Sequence, residues 1–125
     1  MRRPGYDNTQ GGGSGRAAED LAADYLQAQG LQLLERNFRV RGGELDLICR
    51  EGKVLVFVEV RLRRRADYGG AAGSIGAGKR ARLILAARHY LMRLPECDCR
   101  FDCVLLDRLD SESIDWIKDA FSADD

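Results

Sequence analysis

Residues 43–63, Gly-Glu-Leu-Asp-Leu-Ile-Cys-Arg-Glu-Gly-Lys-Val-Leu-Val-Phe-Val-Glu-Val-Arg-Leu-Arg, leave a folded chain little choice. Two arms of period-2 hydrophobicity meet at Glu51-Gly52, the pattern of two β-strands folded back on each other. In the second arm Val54, Val56, Val58, Val60 and Leu62 share one face, and Leu55, Phe57, Glu59 and Arg61 the other. In the first arm Leu45, Leu47 and Cys49 oppose Glu44, Asp46 and Ile48. Pairing Arg50 with Lys53 across a short turn sets Ile48 opposite Leu55, Asp46 opposite Phe57 and Glu44 opposite Glu59. Three carboxylates then share one face, with Asp46 and Glu59 diagonal neighbours roughly 7–8 Å apart at the backbone. Apolar residues on both faces near the turn make these interior strands.

Acids gathered in this way need a proton or a cation. Two unit charges about 4 Å apart repel by about 4 kcal/mol at an effective dielectric of about 20. The whole stability of a small domain is roughly 5–15 kcal/mol. A raised carboxyl pKa would supply the proton, and a hard divalent ion with oxygen ligands the cation.

The 125 residues suffice for one domain whose core needs no disulfide staples. Residues 1–14 are polar and glycine-rich and read as a flexible tail, 15–121 as the domain, and 122–125 as an acidic tail. Arg2 and Arg3 have no apolar run behind them, and no stretch is long enough to span a membrane, so a cytoplasmic protein is expected. Cys49, Cys97, Cys99 and Cys103 would be reduced there. Their spacing matches no familiar zinc knuckle, and small buried cysteines are common.

Charge matters through its distribution, because the net is zero. Residues 36–100 carry 15 Lys/Arg against 7 Asp/Glu, and residues 101–125 carry 2 against 8. Arginine supplies 17 of the 20 basic residues, which suits bidentate contact with phosphate. Arg63, Arg64 and Arg65, followed by a small, glycine-rich loop over 66–78, and Arg82 on a helix flank are the candidate nucleic-acid contacts.

Around the hairpin, a helix is expected from a Ser14 N-cap to about Gln29, with Ala18, Leu21, Ala22, Tyr25 and Leu26 as its apolar stripe. Glu19 borders that stripe, as a first-turn acid that can reach the edge of a sheet beneath. A mixed strand over 31–39 precedes Gly42-Gly43. A second helix spans about Ala77 to Leu94 with Leu83, Ile84, Ala87, Tyr90 and Leu91 inward and Lys79 in its first turn. Arg100 to Leu106 reads as a buried strand in which Asp102 has a structural role, and weak alternation over 114–121 allows an edge strand. The order α-β-β-β-α-β, with that further strand, specifies an α/β sandwich with a mixed sheet rather than a repeating βαβ array.

Gly43-Glu44-Leu45-Asp46-Leu47-Ile48 followed by Val56-Phe57-Val58-Glu59-Val60-Arg61 resembles the YraN family of bacterial proteins. The likeness extends to Gly15-Arg16-Ala17-Ala18-Glu19, Lys79 and Arg100-Phe101-Asp102. It implies a restriction-endonuclease-like three-layer sandwich, a central mixed sheet flanked by helices, of the PD-(D/E)xK type and similar to archaeal Holliday-junction resolvases. It also implies a DNA endonuclease, on branched DNA and as a homodimer if the resolvase likeness holds. Asp46 and Glu59 would bind Mg²⁺ or Mn²⁺ with Glu44 assisting, and Glu19 would be the helix acid of resolvase-like members. The motif's lysine is replaced by Arg61, which can stabilise phosphoryl charge but cannot lose a proton. Lys79 is the candidate substitute. Two alternatives stand beside the nuclease: a non-catalytic nucleic-acid-binding module, and a structural or interaction domain with its acids salt-bridged to Arg61 and Arg63.

Overall fold

A computed structural model describes residues 12–63 and 75–123. Arg64, Arg65 and most of the glycine-rich loop lie outside the described residues, as do residues 1–11 of the expected tail. The chain runs α1 (Gly12–Ala28), β1 (Gln32–Val40), β2 (Gly43–Glu51), β3 (Val54–Leu62), α2 (Ala77–Leu91), β4 (Cys99–Leu106), a 3-10 turn (Ser111–Ser113) and β5 (Ile114–Phe121). The expected order is present, edge strand included. Ser14 lies inside α1 rather than capping it, and α2 stops at Leu91, three residues before Leu94.

The five strands lie in sequence order across one sheet. Only β3 and β4 are parallel, because α2 crosses between them; the other neighbours are antiparallel. One face packs on α2 through Leu83, Ala86, Ala87 and Tyr90 against Phe38, Leu55, Phe57 and Phe101. The other packs on α1 through Ala18, Ala22, Ala23 and Leu26 against Leu47, Val56, Val58 and Val104. This mixed sheet between two helices is the restriction-endonuclease-like sandwich. Both faces of β3 are therefore covered, which is why Leu55 to Val58 are all essentially inaccessible.

The hairpin register differs from the expected one by two residues. Glu51 pairs with Val54 and Ile48 with Phe57, leaving Gly52-Lys53 as the turn. Gly52 has φ +61°, the left-handed conformation that a two-residue hairpin turn demands and glycine accepts without strain. A slip of two keeps each side chain on its face. It brings Asp46, rather than Glu44, level with Glu59.

The face assignment of β2 needs a second correction. Leu45 packs with Ile48 beneath α2, while Leu47 and Cys49 pack beneath α1. Residues 45 and 48 share a face only if the alternation slips at Asp46, as in a bulge. The slip falls opposite Asn37, whose φ is +53°, and at the start of β2 a Cβ on Gly43 would stand 2.4 Å from the Arg82 carbonyl oxygen and 3.1 Å from the Ala86 nitrogen. The start of β2 is pressed flat against the α2 backbone, which fixes its facing independently of the rest of the strand.

Asp102 is structural, as expected. Its buried carboxylate accepts from Arg100 Nε at 3.0 Å, Trp116 Nε1 at 2.9 Å and the Asp119 N–H at 2.8 Å. It thereby fills the irregularity where the β4–β5 register shifts between Phe101 and Cys103.

Candidate active site at the end of the central hairpin

The β2–β3 ladder stops at Leu47–Val58. Beyond it, the Val60 N–H donates to Asp46 Oδ2 at 2.8 Å, so a side chain takes the place of a ladder carbonyl. This contact depends on the slip in β2 and fixes Asp46 between the two helices. Asp46 and Glu59 are both buried charged residues, at 9% and 6% exposure.

Three carboxyls adjoin there. Asp46 adjoins Glu59 from β3 and Glu19 from α1 closely enough to raise the pKa of both. Burial pushes Glu59 up to about 8, with the Asp46 charge adding to the rise and Lys79 opposing it. Burial likewise lifts Glu19 to about 7, again helped by Asp46 and opposed by Asn37 and Arg36. Asp46 is also raised by burial, but the Val60 N–H and Glu59 favour its ionised form. The arrangement is a central carboxylate that accepts from the Val60 amide, flanked by two carboxyls whose burial favours the protonated form. Glu44, expected as the third acid, instead faces Arg39 across β1–β2 and lies 3.6 Å from its Nε. Its charge is still felt at Asp46.

Lys79 reaches in from the first turn of α2, and its Nζ lies 3.3 Å from Glu59 Oε2. Arg61, half-buried on β3, is close enough to oppose the rise in the Cys103 pKa. Arg63 is tied to Asp107 at 2.8 Å, and Arg82 is exposed on α2. The hairpin, α1 and α2 thus bring Asp46, Glu59, Glu19 and Lys79 together. Glu44 and Arg82 stand beside this group, along a cleft of about 380 Å³ that Lys79 also lines.

Two contributors escaped the sequence reading. Asn37, on β1 with φ +53°, stands close enough to Glu19 to oppose the rise in its pKa. An asparagine in mid-strand, poorly suited to a ladder but tolerant of that backbone, was the available signal. Cys103 pairs in register with Glu59, and its thiol is held up to about 12 by burial and then by Glu59. It is a small packing group rather than a nucleophile.

The carboxyls gathered here offer only oxygen donors, the type that hard divalent ions take and soft metals do not. Among the described residues, no three His, Cys, Asp or Glu side chains already converge as an ion's ligands would. No helix among them is long and apolar enough to cross a membrane.

The family model described as "Uncharacterised protein family UPF0102" matches residues 18–106. A UPF0102 protein of Dechloromonas aromatica is 66% identical over 111 residues, spanning 89% of this chain and 90% of the relative. Those of Methylobacillus flagellatus and Nitrosomonas europaea are 53% and 51% identical, over 87% and 88% of this chain and 96% and 94% of their own lengths. The match takes in α1 from Ala18 through the end of β4, and so every member of the carboxyl cluster, which places this chain in the UPF0102 family, the YraN-like proteins of endonuclease-like architecture.

Proposed function

We propose that the protein is a metal-dependent DNA endonuclease that hydrolyses phosphodiester bonds, with branched DNA as the substrate class suggested by its resolvase-like helix acid. The observation that carries this reading is the contact of Lys79 with Glu59. The strand position that the motif reserves for lysine holds Arg61, and α2 supplies an ammonium to the same carboxylate instead.

Asp46 and Glu59 would hold Mg²⁺ or Mn²⁺, with Glu19 behind Asp46. A bound divalent ion supplies stabilisation of charge on the phosphoryl oxygens and lowers the pKa of water. The chain's own groups do the rest. The Val60 amide holds Asp46 in place, and Lys79, released from Glu59, is free to donate to a phosphate oxygen or to orient water. Arg61 adds fixed positive charge and cannot act as a base.

Incubation of labelled junction, flap and duplex DNA with Mg²⁺ or Mn²⁺ tests the reading. Cleavage should be lost in Asp46→Asn and Glu59→Gln, and calorimetry should detect metal binding to the wild type but not to Asp46→Asn. Cleavage that survives both substitutions would place the chemistry elsewhere. A non-catalytic nucleic-acid-binding module is the second reading, favoured by Arg61 at the lysine position, and it requires salt-sensitive DNA binding with no cleavage.

A further inference from the structure

The β1–β2 turn and the start of α2 enclose a cleft lined by Arg39, Val40, Gly42, Gly43, Glu44, Lys79 and Arg82. Three cations and one carboxylate face it. Lys79 is shared: its side chain lines the cleft while its Nζ touches Glu59, so the cleft opens directly beside the carboxyl cluster. Arg39 is 63% exposed and held only loosely by Glu44 at 3.6 Å. Arg82 is exposed, but its backbone is pinned, because its carbonyl packs against the bare Cα of Gly43. The close approach of β2 to α2 holds the Arg82 backbone beside the end of β1 that carries Arg39, so the cleft takes one exposed arginine from each element.

We propose that this cleft seats a backbone phosphodiester of the bound strand, next to the one presented to Asp46 and Glu59, and that Arg39 and Arg82 clamp it. The inference rests on the nucleic-acid reading above. A guanidinium on each wall can meet the non-bridging oxygens from two sides, which a single lysine cannot do. Glu44 is the internal competitor: an arriving phosphate must take Arg39 from it. Arg39 carries no motif and was not recognisable from sequence, because its role depends on the turn folding over α2.

The test is anisotropy of a short fluorescein-labelled oligonucleotide in EDTA, where cleavage is absent, measured over a series of salt concentrations. Arg39→Ala and Arg82→Ala should each weaken binding several-fold and lower the slope of log affinity against log salt by about one. Glu44→Gln should tighten binding, which a merely structural glutamate would not do. Lys53→Ala, in the turn at the far end of the hairpin, should leave the slope unchanged. A mononucleotide at equal phosphate concentration should not displace the oligonucleotide; equal displacement would mark a free-phosphate site and overturn the proposal. Wild-type binding that is indifferent to Arg39, Arg82 and Glu44 would overturn the clamp alone. Absence of oligonucleotide binding by the wild type would overturn the nucleic-acid reading along with it.

Discussion

Lys79 Nζ stands 3.3 Å from Glu59 Oε2, bridging the first turn of α2 to the third strand of the sheet. Under the proposed reading the ammonium would take the part of a lysine two residues after Glu59, although it arrives from a different element. Lys79→Met should lower the cleavage rate on the order of 10²–10³-fold, the range for removing one positioned polar or acid–base group. Arg61→Lys alone should change the rate little, because the ammonium is already supplied. The double variant should recover part of the loss. Unchanged single-turnover cleavage in Lys79→Met would remove Lys79 from the chemistry.

The carboxyl cluster also predicts a pH dependence of stability. Glu59 titrates near 4.5 when unfolded and about 8 when folded, and Glu19 rises from 4.5 to about 7. Between those values the folded state binds more protons than the unfolded state, so stability falls as pH rises. In metal-free protein the melting temperature should decline from mildly acidic pH to about 8. Glu59→Gln removes the proton requirement. It should be more stable than wild type at pH 8 by at least about 1 kcal/mol, roughly 3–6 °C, with the difference fading toward pH 4.5. Saturating Mg²⁺ should flatten the wild-type slope by replacing protons with a cation. A melting profile rising through this range in EDTA would contradict the protonated cluster.

Asp102 offers a contrast, because its carboxylate is buried for architecture. It holds Arg100, Trp116 and the Asp119 amide at once. Asp102→Ala should cost about 3–5 kcal/mol, since it strands Trp116 Nε1 and the Asp119 amide and leaves Arg100 with Glu51 alone. Asp102→Asn keeps an acceptor and should cost less. Chemical denaturation separates the two, and Asp102→Asn should retain cleavage below its melting transition.

The sequence disclosed the strands better than their alignment. Val54, Val56, Val58 and Val60 alternate so regularly with Leu55, Phe57, Glu59 and Arg61 that β3 and its two faces could be assigned by inspection, and Asp46 and Glu59 stood out as acids in apolar strands. The register was missed because it depends on which two residues form the turn, and Glu51-Gly52-Lys53 permits more than one choice. The slip at Asp46 was illegible for a different reason: it falls between Asn37 on the neighbouring strand and the close approach of Gly43 to the α2 backbone, contacts that a linear sequence does not display. Replacing Glu44 by Glu19 as the third acid follows from the same two causes. Lys79 could be guessed from its helical turn, whereas Asn37 and Arg39 acquire meaning only once β1 is placed beside β2.

Gly43 thus becomes the position at which packing and chemistry can be separated by one methyl group. A Cβ at Gly43 would meet two backbone atoms, at 2.4 and 3.1 Å, and neither can rotate away. At Gly42 the same addition meets only Leu85 Cδ2, at 3.2 Å, the mobile end of a side chain, although φ +85° strains any residue with a Cβ. Gly43→Ala must push α2 off β2, carrying Lys79 and Arg82 with it. It should cost about 1–3 kcal/mol, as overpacking does, and should depress DNA binding and cleavage beyond that loss. Gly42→Ala should cost about 1 kcal/mol through its backbone and lower cleavage less than Gly43→Ala does. Melting curves alongside cleavage rates for the pair decide the matter, and a Gly43→Ala protein with unaltered rate and stability would show that the close approach of β2 to α2 does not set the site.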